Sequence, residues 1–204
     1  MKFSRACMTL GALTLLLALA GIATTPKTCG DDRGLGPVLG LELAVNASEV
    51  SALVRGPDCA AALRENTLTD MVAFIPAFTA FLVCGALMVS RKHRLAVLAV
   101  PVFVLGGLSD EVEDRVMLAL LELPHATREW LIALFFAVRL KFVLLSLGVI
   151  IVGAAVARAE RLAGAAMITG GLVALCGLLL SHQLLMPGTL VAWVALLVLA
   201  IRWR

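Results

Sequence analysis

Asp70, Asp110, Glu113, Asp114, Arg139 and Lys141 fall inside stretches that are otherwise apolar enough for lipid. Carboxylates in such a setting can hold a proton, a cation or the polar head of an amphiphile, and a lysine or arginine nearby can neutralise them. A charge at mid-bilayer costs about 2.5–3.5 kcal/mol on insertion scales, so six of them cost about 15–20 kcal/mol. That exceeds the roughly 5–15 kcal/mol by which a typical domain is stable. The six groups are therefore expected to meet one another inside a helical bundle.

The acids have a defined spacing. Residues 95–108 read as a plain membrane helix with Pro101 and Gly106-Gly107, then continue as Ser109-Asp110-Glu111-Val112-Glu113-Asp114-Arg115. On a helix, Asp110, Glu113, Asp114 and Met117 share one face by their i, i+3, i+4, i+7 spacing. Glu111 and Arg115 lie about 100° away, in the favourable acid-first i, i+4 order, and can neutralise each other. At about 1.5 Å per residue, Asp110 lies about 22 Å above residue 95 and Lys141 about 16 Å below Trp130. With Asp70 at the outer mouth of its own span, these groups reach a common level in the outer half of the bilayer. Lys141 shares its helical face with Ala133, Ala137 and Gly148, small residues that let helices approach, so it is expected to point inward. Arg139, about 200° round the same helix, is expected to serve a different acid.

Two readings follow. The ion pairs can be a lock that orients helices. Alternatively, three carboxylates on one stripe plus Asp70 outnumber the two cations, which marks a binding or proton-handling site where one acid is held neutral. Below Asp70, Phe74, Phe78 and Phe81 lie on nearly one face with Ala77, next to a kink point at Pro76. An aromatic wall under a carboxylate suits an amphiphile with a polar head and an apolar tail; the alternative is that these rings face lipid.

The elements that must position these groups are set by composition. The 204 residues are 61% hydrophobic and 15% charged, with a mean hydropathy of +1.02. That excludes an ordinary soluble domain and a nucleic-acid-binding tail. Six apolar windows are expected to cross the membrane, at 6–25, 69–90, 95–122, 130–157, 162–185 and 187–203. Six crossings put Lys2 and Arg5, Arg91, Lys92 and Arg94, Arg158 and Arg161, and Arg202 and Arg204 on one face. The positive-inside rule makes that face cytoplasmic, with both termini there, as for a bacterial inner-membrane protein. Every acid except Glu160 then lies outside or within the membrane.

The expected fold is an all-α polytopic bundle of about six transmembrane helices. Residues 1–25 form the first span or signal anchor, 26–68 an extracytoplasmic loop, and 69–204 a five-helix bundle. The first segment also fits a cleavable signal peptide, with Ala18-Leu19-Ala20 as the small-residue pattern. In the loop, Leu43, Ala47, Val50 and Val54 recur at helical spacing, so an amphipathic helix over about 38–55 is expected on the outer surface.

Of five cysteines, only Cys29 and Cys59 fall on the extracytoplasmic side, and a disulfide between them is expected. Cys7, Cys84 and Cys176 lie in spans. No metal-ligand run, phosphate loop or nucleophile elbow is present, so no cofactor or metal is expected and an enzyme is the weakest reading. His182 and His125 are the side chains that would join the acids as base or ligand. Gly164, Gly170, Gly171 and Gly177 read as close helix contacts, and Asn46-Ala47-Ser48 as a glycosylation sequon. The expected partners are the bilayer and a lipid or amphiphile ligand.

The order of parts resembles an uncharacterised family of small bacterial multi-pass membrane proteins. The matching stretches are Leu41-Glu42-Leu43-Ala44, Asp70 with Phe74-Ile75-Pro76-Ala77-Phe78, Asp110-Glu111-Val112-Glu113-Asp114, and Lys141-Phe142, together spanning about residues 38–145. The family pattern has tyrosine where Phe78 stands and asparagine where Asp114 stands. The resemblance implies a surface helix after the first span and a later Asp-x-x-Glu-Asn span, and it carries no activity.

Overall fold

The computed structural model describes residues 2–24, 29, 37–55, 57–122, 128–180 and 182–203. His125, Ser181 and the turn-forming stretch 30–36 lie outside the described residues. The fold is an all-α bundle. The long helices are α1 (Lys2–Thr24), α4 (Pro57–Thr69) running through a π turn at Asp70–Phe74 into α5 (Ile75–Ser90), α6 (Ala99–Glu122), α7 (Arg128–Val156), α8 (Arg161–Leu179) and α9 (Leu185–Arg202). Six helical segments are long and apolar enough to cross a membrane. Their outward faces carry exposed Leu16, Ile22, Val72, Leu105, Leu162 and Leu179 among others, a surface that only lipid solvates well. This is a multi-pass membrane protein.

The second span is longer than the apolar window predicts, because the helical segment that carries it extends over Asp58–Ser90. The π turn within it has a local cause. Pro76 has no N–H to return to the preceding turn and its ring crowds the carbonyl four residues back. The wider turn relieves this, and Ile75 N–H bonds to the Asp70 carbonyl instead.

The chain divides into two compact units. The first comprises residues 1–14, 77–107 and 141–204. Its helices touch through residues without side chains. A Cβ on Gly170 of α8 would sit 2.7 Å from the Gly188 carbonyl oxygen of α9, and one on Gly164 would sit 2.9 Å from the Gly153 carbonyl oxygen of α7. The small-residue reading of Gly164, Gly170, Gly171 and Gly177 therefore holds. α1 is tied to α9 by Ser4, whose hydroxyl donates to the Ala200 carbonyl at 2.6 Å.

The second unit comprises residues 15–76 and 108–140. It contains α2 (Pro37–Glu42), α3 (Ala47–Leu53) and the expected disulfide, Cys29–Cys59. Here the structure corrects the single helix expected over 38–55. The chain breaks at Asn46, which caps α3: its Oδ1 accepts the Glu49 N–H at 3.0 Å, while Glu49 Oε2 accepts the Val45 N–H at 3.1 Å. This reciprocal cap outweighs the continuous apolar spacing. Leu41, Leu43, Val50 and Leu53 are buried, so the segment is packed and does not lie as a free surface helix. Thr24 at the end of α1 donates to Asn66 Oδ1 at 3.1 Å, and Arg64 of α4 meets Glu122 of α6 at 3.5 Å.

Candidate functional site

α6 has its polarity reversed relative to a soluble helix. Leu108 and Val112 are exposed, whereas Asp110, Glu113, Asp114 and Met117 are 6%, 0%, 0% and 1% exposed. The stripe expected from the i, i+3, i+4, i+7 spacing is thus the buried face. Glu111 and Arg115 stand off it as their own pair, 3.8 Å apart, with the Arg115 side chain 73% exposed. At the head of the stripe Ser109 is buried, and its hydroxyl donates to the Ala137 carbonyl of α7 at 3.0 Å. That bond brings α7 against α6 at the level of the first acid.

Lys141 lies one helical turn beyond Ala137 on α7. It is 5% exposed, with its Nζ 4.7 Å from the Phe142 ring centre. The inward orientation expected of it holds, although Ala133, expected on the same face, is exposed. Arg139 goes elsewhere. Its guanidinium lies 3.3 Å from the centre of the Phe135 ring and donates from Nη1 to the Phe135 carbonyl at 3.2 Å. Among the described residues no carboxylate lies within ion-pair distance of it, contrary to the expected acid partner. The ring one turn earlier takes the cation, since a guanidinium stacks well on an aromatic face. Asp70 sits at the first position of the π turn, half-buried.

The aromatic wall divides. Phe74 lies in the π turn, whereas Phe78 and Phe81 are buried in the first unit against Trp193 of α9, with ring centres 5.6 and 6.1 Å from it. They fill the bundle there, so neither an amphiphile wall nor a lipid-facing face describes them. A cavity of about 20 Å³, lined by Phe78, Ser146, Thr189 and Trp193 among others, adjoins this cluster. Trp193 Nε1 is buried there with no hydrogen-bond acceptor among the described residues.

Sequence reasoning missed Glu42 as a site residue. Glu42 entered only through the Leu41-Glu42-Leu43-Ala44 stretch, yet it is 6% exposed in the unit that holds the α6 acids. The Asn46-x-x-Glu49 capping box, which starts α3, signals the helix break that follows it. His182 lies in a short turn, His182–Leu184, and among the described residues no His, Cys, Asp and Glu side chains cluster in a way that could hold a metal ion.

The electrostatics of this arrangement are one-sided. Among the described residues Glu42, Asp110, Glu113 and Asp114 are buried acids of the second unit, and Lys141 is a buried base of the first. Carboxylates buried in a low-dielectric interior need hydrogen bonds, cations or protons to offset their charge. Such a set can exchange a proton or recognise a positively charged or hydrogen-bond-donating head group.

Comparison with protein families, with curated proteins and with solved structures finds no match for this chain.

Proposed function

We propose that this protein lies in the cell membrane with both termini in the cytoplasm. There, Asp110, Glu113 and Asp114, with Asp70 at the mouth of the second span, bind the polar head of a lipid or other amphiphile in exchange for a proton. The observation that carries this reading is the burial of three carboxylates, Asp110, Glu113 and Asp114, on one face of a membrane helix. Carboxylates that close together in a low-dielectric setting are the groups a proton- or cation-binding site uses. The apolar residues Leu108 and Val112 on the far side of α6 face the layer in which an amphiphile's tail resides. The placement of the termini is supported by Arg5, Arg91, Lys92, Arg94, Arg158, Arg161 and Arg202 at the helix ends of the first unit, a unit in which Glu160 is the sole acid by sequence.

The test uses the protein in nanodiscs with a pH-sensitive dye. A long-chain alkylammonium should release protons saturably, an uncharged alkyl alcohol should not, and the release should vanish in a folded Glu113→Gln/Asp114→Asn variant. If no proton is released, while single neutralisations unfold the protein and charge-balanced double changes restore it, the charges only specify helix packing and the protein is a scaffold or accessory subunit. Reporter fusions to the C-terminus check the topology: a cytoplasm-active reporter should work and a periplasm-active one should not.

A further inference from the structure

At the basic end of the first unit the structure contains a second polar site, unconnected with the acids. A cavity of about 200 Å³ is lined by Phe3, Ser4, Met88, Arg91, Lys92 and Trp203. Phe3 and Ser4 open α1, Arg91 and Lys92 follow α5, and Trp203 closes α9, so the cavity sits where three membrane helices end. We propose that it binds the phosphate of an anionic phospholipid.

Each cation at the rim is seated on an aromatic ring. The Arg91 guanidinium lies 4.6 Å from the centre of the Phe3 ring, and Lys92 Nζ lies 4.2 Å from the centre of the Trp203 ring. Ring contacts hold a cation in place without neutralising it, so less ordering is needed when an anion arrives. Among the described residues no carboxylate comes within 4 Å of either group. The one acid at this end, Glu160, is already engaged: it meets Arg202 Nη1 at 3.0 Å and accepts from Trp203 Nε1 at 3.1 Å. Those contacts fix the indole that forms the cavity wall and leave Glu160 engaged away from Arg91 and Lys92. His93 also lies against this indole, with ring centres 6.3 Å apart and planes tilted by 31°.

The occupant follows from these chemistries. Two fixed cations demand an anion, and a guanidinium beside an ammonium suits a phosphate, which accepts from both. The walls contributed by Phe3 and Met88 are apolar, as the glycerol and first acyl carbons of a phospholipid require. At about 200 Å³ the cavity is smaller than the roughly 300–1,000 Å³ of drug-sized pockets, so it takes a head group while the tails stay in the bilayer. Basic pockets between membrane helices at the interface bind lipid head groups by this logic. The inference needs the membrane assignment and is independent of the acidic site.

The test compares wild type with Arg91→Gln/Lys92→Gln and with Arg158→Gln/Arg161→Gln, which removes equal charge at the same basic end of the unit but outside the cavity. Protein in phosphatidylcholine nanodiscs is titrated with phosphatidylglycerol brominated near the head group, and quenching of tryptophan emission is read. Each cation contributes enough at a membrane surface that the cavity variant should bind phosphatidylglycerol about thirtyfold more weakly. The Arg158/Arg161 variant should bind like wild type. Arg91→Lys/Lys92→Arg, which preserves both charges, should also bind, and serves if the glutamine variant does not fold. Equal weakening in both glutamine variants would reduce the effect to general surface charge and overturn the site. Displacement of the lipid by millimolar inorganic phosphate, with phosphate binding equally well in lipid-free micelles, would identify a free anion as the ligand and overturn the lipid assignment. Absence of saturable quenching in wild type would also overturn it.

Discussion

Removing charge from α6 one residue at a time separates neutral acids from ionised ones. Glu111→Gln touches a pair whose arginine is 73% exposed and whose charges lie 3.8 Å apart. Exposed pairs of this kind contribute about 0–1 kcal/mol, so the variant should unfold within about 1 kcal/mol of wild type. Asp110, Glu113 and Asp114 are 6%, 0% and 0% exposed. If one of them is ionised and paired, replacing it strands its partner and costs about 3–5 kcal/mol. If it carries a proton, the amide is close to isosteric with the neutral acid, and the loss falls to the roughly 0.5–1.5 kcal/mol of one altered hydrogen bond. A site that exchanges a proton through this face requires the second case for Glu113 or Asp114. Among Asp110→Asn, Glu113→Gln and Asp114→Asn, at least one should therefore resemble Glu111→Gln while another is strongly destabilised. Thermal unfolding in detergent, followed by circular dichroism, resolves this. For a chain of this size about 1 kcal/mol moves Tm by about 2–4 °C, so the costly class loses about 6–20 °C and the cheap class a few degrees. Losses of 6 °C or more in all three variants would mean that every stripe acid is ionised, and the proton-exchange reading would be wrong.

The remaining predictions concern the frame that holds this face. Reduction, or Cys29→Ser/Cys59→Ser, should lower stability by roughly 3–4 kcal/mol on chain-entropy grounds, with the difference between wild type and variant vanishing when both are measured in reductant; an unchanged Tm would mean that the pair does not constrain the loop. At the α8–α9 crossing, Gly188→Val should cost about 1–3 kcal/mol or more, because its Cβ would lie 2.7 Å from the Gly170 carbonyl oxygen. Gly21→Ala on α1, where no atom lies within 4 Å of the added carbon, should be neutral or stabilising by up to about 1 kcal/mol in the same unfolding assay.

What sequence could reveal here depended on whether a side chain's fate is set by its own helix. The stripe of Asp110, Glu113 and Asp114, the separate Glu111–Arg115 pair and the lipid-length spans all follow from helical periodicity and hydropathy, and the structure has each of them. The Cys29–Cys59 pair followed from assigning cysteines to one side of a membrane. Contacts made by tertiary packing were not legible. Phe78 and Phe81 pack on Trp193, more than a hundred residues away, and no local pattern names that partner. Arg139 finds Phe135 one turn back, where a ring competes with any carboxylate for the guanidinium. The break at Asn46 was present as a capping box, but apolar spacing alone hid it.

A proton-exchanging acidic face must hold a neutral carboxyl group at physiological pH. Infrared spectroscopy of the purified protein in nanodiscs tests it most directly, by the carbonyl stretch that a protonated acid has and a carboxylate lacks. Wild type at neutral pH should show that band, and a folded Glu113→Gln, Asp114→Asn or Asp110→Asn variant should remove it. A spectrum with carboxylate bands alone, unchanged by all three substitutions, would contradict the account.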